Sequence, residues 1–76
     1  MKSLNISLNS LDKIKNFVDI VSNLDSEIDL ISDRYVVNAK SIMGVLSLDL
    51  TKNIQMNIHN EKIFDEAKKT LHDFLI

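Results

Sequence analysis

The chain has no cysteine, which excludes disulfides, thiolate metal ligands and thiol nucleophiles, and which fits a reducing compartment. Proline is also missing, and the single glycine, Gly44, stands inside an apolar run rather than at an obvious turn. No apolar stretch approaches the ~20 residues that cross a bilayer, so no membrane span is expected. The opening MKSLNISLNSLDK lacks the long apolar stretch of a secretory signal, and the cytoplasm is the simplest location. Basic residues are scarce and scattered: there are 9 Lys and Arg against 11 Asp and Glu, and only Lys68 and Lys69 are adjacent. No basic stripe exists to neutralise a phosphate backbone, so nucleic acid is not an expected partner.

What remains is ordinary for a globular chain: 76 residues, 45% apolar and 26% charged. Residues 1–76 are read as one domain with a thin core, for which a net stability of about 3–5 kcal/mol is expected.

Residues 3–8, SLNISL, alternate Leu4, Ile6 and Leu8 on one face, the pattern of a half-buried strand. Asn9 or Ser10 can cap the following helix. Over residues 10–24, Leu11, Ile14, Phe17, Val18, Val21 and Leu24 recur at three- and four-residue steps and form one apolar stripe. Ile28 and Leu30 alternate with Glu27 and Asp29, and Tyr35–Val37 are aromatic and β-branched. These are read as two strands joined by a turn at Asp33–Arg34, a weak turn because Arg34 resists positive φ. Ile54, Met56 and Ile58 alternate in a further strand. Asn60 then caps a last helix over residues 61–76, with a stripe of Ile63 or Phe64, Ala67, Leu71, Phe74 and Leu75. Glu61, Asp65 and Glu66 lie in its first half and Lys68, Lys69 and His72 in its second, in agreement with the helix dipole.

The expected order is strand, helix, strand, strand, short helix, strand, helix (βαββαβα). Alternating strands leave one sheet face wet, and single-striped helices must cover the other. The fold class is therefore α+β, a two-layer sandwich with a four-stranded, mainly antiparallel sheet.

The short helix comes from SIMGVLSL, residues 41–48, with Ser41 as its cap. Ile42, Met43, Val45, Leu46 and Leu48 are too many for one narrow stripe on about two turns, so some must face outward and form a docking patch. Gly44 allows a close approach or ends a turn.

The string VNAKSIMGVLSL resembles the regulatory-serine segment of HPr, the histidine-containing phosphocarrier family of the bacterial sugar phosphotransferase system. The order of elements matches that family's open-faced β-sandwich over essentially the whole chain. By resemblance, Ser41 corresponds to the serine phosphorylated by HPr kinase in low-GC Gram-positive bacteria. Ile42, Met43 and Leu46 correspond to a patch that meets the kinase, phosphotransferase components and a regulator of catabolite repression.

The carrier site of the family, a Gly-x-His-Ala-Arg-Pro-type motif at the start of the first helix, has no counterpart. Counting back from Ser41 without gaps places Ser10 at the histidine, Asp12 at the arginine and Lys13 at the proline. Ser10 cannot form a phosphoramidate, and Asp12 repels a phosphoryl group. By the same resemblance, the first-helix positions that border the patch in the family hold Asp12, Lys15 and Asn16 here, which disfavours the usual carrier partners. His59 ends a strand and His72 lies in the last helix, so neither stands at a helix start beside an arginine. Two histidines without a third ligand do not make a metal site. No catalytic triad, phosphate loop or carboxylate pair is legible, so neither an enzyme nor a cofactor is expected.

The resemblance implies a divergent member without the carrier histidine, acting as a regulatory or binding module through Ser41, as does the family's catabolite-repression homologue. Two alternatives stay open. One is phosphoryl transfer through a non-standard residue such as His59. The other is a structural module that keeps only the fold and forms a homodimer through the Ile42/Met43 patch.

Overall fold

The computed structural model describes residues 2–76. The elements are β1 (Lys2–Ile6), α1 (Leu11–Ser22), β2 (Ile28–Ser32), β3 (Tyr35–Asn38), α2 (Ile42–Leu46), β4 (Ile54–Ile58) and α3 (Phe64–Thr70). Short 3-10 turns at Glu61–Ile63 and His72–Phe74 flank α3. The strands form one antiparallel sheet in the order β1-β4-β2-β3.

That order interleaves two crossovers. β1 and β2 both run antiparallel to β4, so β4 lies between two parallel strands that α1 connects. In the same way β2 lies between β3 and β4, which α2 connects. Each connection spans a neighbouring strand, so it must pass over a face of the sheet. The side-chain alternation decides which face. Leu4, Met56, Leu30 and Val37 are register partners in one row across all four strands, with Ile6 beside Ile54 and Ile58 beside Ile28 in neighbouring rows. Ile6, Ile28, Leu30, Ile54, Met56 and Ile58 are all buried. The opposite face carries Ser3, Gln55 and Asn57, which bond to one another: Ser3 Oγ donates to Asn57 Oδ1 at 2.6 Å, and Gln55 Nε2 donates to the same oxygen at 2.9 Å.

The first helix follows the expected stripe, with Ile14, Phe17 and Val21 buried. Ser10 is its cap, accepting from Lys13 N at 3.2 Å. Leu11 departs from the expectation: it is 54% exposed, because the first residue of α1 overhangs the layer below. The β2–β3 turn avoids the strain expected at Arg34 by placing the left-handed residue at Asp33, with φ 54°. A short polar side chain tolerates that region better than a long one.

The largest difference lies at the C-terminal end. Instead of one helix over 61–76, α3 stops at Thr70, and Leu75 pairs with Ile6 as an isolated bridge. Ser7 N donates to Phe74 O at 2.9 Å and Ile76 N donates to Asn5 O at 3.1 Å. The outer edge of β1 has backbone groups that need partners, and an extended segment supplies them where a helix cannot. The expected stripe survives in part: Ala67, Leu71 and Phe74 are buried, while Ile63, Phe64 and Leu75 pack partly against the core. The Phe74 ring meets Phe17 edge-to-face at 5.6 Å and 79°, joining the C-terminal turn to α1.

Phe17 is fully buried, and truncating a core phenylalanine costs about 3–5 kcal/mol, comparable to the whole stability of a chain this small. Phe17→Ala should therefore be largely unfolded at 25 °C, and Phe17→Leu folded with a lower melting temperature, by far-UV circular dichroism.

Candidate functional site

Ser41 closes the loop between β3 and α2 in an extended conformation, φ −100° and ψ 107°. Its Oγ accepts from Gly44 N at 3.3 Å, and its carbonyl accepts from Val45 N at 3.0 Å. The hydroxyl is thus the N-cap of α2 and is exposed. A helix of five residues presents little inward surface, and only Val45 of α2 is buried, with Leu48 just beyond it. The remaining apolar side chains point away: Met43 is 75% exposed, Leu46 42% and Ile42 36%.

Gly44 lies inside α2, not at its end, and its φ is not positive. Its role is clearance. A Cβ at this position would lie 3.3 Å from Val37 Cβ and 3.5 Å from Ser41 Oγ. The glycine seats α2 against β3 and leaves the space beside the hydroxyl open.

Between the start of α1 and the end of α2 lies an open groove of about 330 Å³, lined by Leu8, Ser10, Leu11, Ile14, Leu46 and Leu50. Ser10 is occupied as the α1 cap, and Asp12 is an exposed acid in the first turn. The groove and the exposure of Leu11 are not legible in the sequence, where Leu11 reads as one more stripe residue.

The loop after α2 is held by its own polar contacts. Thr51 Oγ1 donates to Asp49 Oδ1 at 2.6 Å and Thr51 N donates to the same oxygen at 3.1 Å. These two bonds, the hydroxyl first, hold the Asp49 carboxyl below its ordinary 3.8. Lys52 Nζ reaches Asp33 Oδ2 at 3.0 Å across the β2–β3 turn. That bond raises the Lys52 ammonium above its ordinary 10.5.

The histidines lie elsewhere. His59 follows β4, whose five residues span ~16 Å; Ile54, at the other end, pairs with Ile6, after which the chain enters α1. His59 Nε2 sits 2.8 Å from Asp29 Oδ2. The His72 side chain is 84% exposed. Among the described residues no three His, Cys, Asp or Glu side chains gather where a metal ion could sit. No helix among them is long and apolar enough to cross a membrane. One further contact escaped the sequence reading: Lys40 Nζ donates to Leu24 O at 3.0 Å.

The model of one protein family, described as the PTS HPr component phosphorylation site, matches residues 13–75. Among solved structures, HPr-C-His from Thermoanaerobacter tengcongensis superimposes with a TM-score of 0.80 at 30% identity, covering 96% of this chain and 89% of that one. The phosphocarrier protein HPr from Bacillus anthracis str. Ames gives a TM-score of 0.78 at 26% identity, covering 99% and 94%. A search of curated proteins finds no match.

Two outcomes follow from these contacts. Ser41→Ala should lower stability by about 1 kcal/mol in urea unfolding, and Ser41→Asp by much less, because aspartate caps equally well. A group whose folded pKa is depressed stabilises the fold above its unfolded value, here 3.8, and loses that contribution as pH falls through the folded value. Thr51→Val, which removes the stronger bond, should move the Asp49 midpoint upward in a carboxyl-carbon NMR titration.

Proposed function

The chain belongs to the HPr family of the sugar phosphotransferase system, and on that premise we propose that it is a regulatory or binding module rather than a carrier. The observation that carries this reading is the contrast between two helix starts. At α2 an exposed hydroxyl stands beside exposed Ile42, Met43 and Leu46. At α1 the cap is Ser10, with Asp12 in the first turn and Leu11 over an apolar groove. A phosphoramidate needs an imidazole, and a phosphoryl group favours a nearby cation. Ser10 and Asp12 offer neither, and the stretch matched by the family model starts after both, at Lys13. A phosphoryl group at His59 would face the Asp29 carboxylate, which speaks against that residue as a substitute carrier.

In this proposal Ser41 is phosphorylated by an HPr kinase in the cytoplasm. The segment 41–48 carries no charged side chain, so a phosphoserine would add about −1.5 to −2 charges to an uncharged apolar patch at pH 7. The fold need not move. A partner from the phosphotransferase or catabolite-repression machinery would read the patch through Ile42, Met43 and Leu46 and accept or reject it according to that charge.

Incubation with an HPr kinase and ATP should add one phosphoryl group to the wild type by intact mass and none to Ser41→Ala. No gain in the wild type, or an equal gain in both, removes the proposal. A homodimer through the same patch would instead appear as concentration-dependent sedimentation that Met43→Asp abolishes.

A further inference from the structure

Ser41 is not held by α2 alone. Asn38, the last residue of β3, accepts twice from the chain that follows: its Oδ1 takes Lys40 N at 2.8 Å and its carbonyl takes Ser41 N at 3.0 Å. Ala39 N donates to Ile28 O at 2.9 Å, and Ala39 is fully buried. Lys40 then sends its ammonium across the molecule to Leu24 O, a part-buried bond. Leu24 lies just past α1, which has no basic residue in its last turn, so Lys40 supplies the cation that this helix end favours. Ala39 and Lys40 thus form a turn closed by the bond from Ser41 N to Asn38 O, and with Lys40 tied to Leu24 the turn delivers the Ser41 hydroxyl to the mouth of α2, where Gly44 N meets it.

We propose that Asn38 and Lys40 are positioning residues for phosphorylation of Ser41: the turn they close holds the hydroxyl in one orientation before the kinase arrives. The inference rests on the reading of Ser41 as a modified residue. In the transfer, Ser41 Oγ bonds to the terminal phosphorus of a nucleoside triphosphate while the bond from that phosphorus to the β-phosphate oxygen breaks. The nucleoside diphosphate leaves, and the hydroxyl proton passes to a base of the kinase. The attacking oxygen must stand in line with the leaving oxygen, and an acceptor fixed in advance loses less freedom on reaching that geometry.

The test compares wild type, Asn38→Ala, Asn38→Asp, Lys40→Met and Lys40→Arg as substrates of an HPr kinase with ATP. Initial rates come from intact mass, amide hydrogen exchange is followed at Ser41 and Gly44, and melting curves confirm folding. Asn38→Ala and Lys40→Met should lose about fivefold in kcat/KM, the factor that one hydrogen bond represents. Asn38→Asp, which keeps the accepting oxygen, and Lys40→Arg, which keeps the cation, should recover most of it. Exchange at Ser41 and Gly44 should speed up in the slow variants while core amides stay protected. Equal rates in wild type, Asn38→Ala and Lys40→Met overturn the positioning role and leave the function reading intact. A fall in rate without local loss of protection, or one that Lys40→Arg does not recover, overturns it as well. No phosphorylation of the wild type overturns both.

Discussion

The row of Leu4, Met56, Leu30 and Val37 across four strands is the constraint from which the rest of the molecule follows. A sheet with one apolar face must be covered on that side, and the interleaved strand order sends both crossover helices over it. Phe17 of α1 and Phe74 of the C-terminal turn meet over this layer. In a chain this small the sheet and its helical cover share one core, so the loss of one large side chain is felt by the whole fold.

The same constraint creates the candidate site. α1 has three turns and can bury a stripe, whereas the connection from β3 to β4 leaves α2 only five residues. Val45 and Leu48 anchor the segment, and Ile42, Met43 and Leu46 are left in solvent beside the capping hydroxyl of Ser41. Gly44 lets so short a helix sit close to Val37. The patch is thus a consequence of packing a crossover that is barely long enough. Its orientation is fixed from outside, through Ala39 against Ile28 and Lys40 against Leu24.

The start of α1 makes the opposite arrangement. Ser10 uses its oxygen to cap the helix, Asp12 adds an acid to the first turn, and Leu11 leans over a groove of leucines. The two helix starts differ in kind: that of α2 presents a hydroxyl beside apolar residues, that of α1 an acid and an aliphatic wall. On the function proposed above, the first start keeps a contact surface of the family and the second lacks the imidazole that a carrier needs.

Local chemistry was legible in the residues themselves. Alternation of Ile54, Met56 and Ile58 assigned a strand face, the spacing of Ile14, Phe17 and Val21 assigned a helix face, and Ser10 and Ser41 marked helix caps that the structure places there, whereas Asn60 caps the 3-10 turn ahead of α3 and not α3 itself. Surplus apolar residues on a short helix implied that some of Ile42, Met43, Val45, Leu46 and Leu48 would be exposed, and the packing decided which. These properties depend on neighbours within one or two turns, which the sequence contains. Tertiary structure alone decided that α3 would end at Thr70, because the unpaired edge of β1 belongs to a segment far away in the chain. It also decided that Leu11 would overhang a groove and that Lys40 would reach Leu24. Contacts between distant segments are set by how the layers stack, and no local periodicity encodes them.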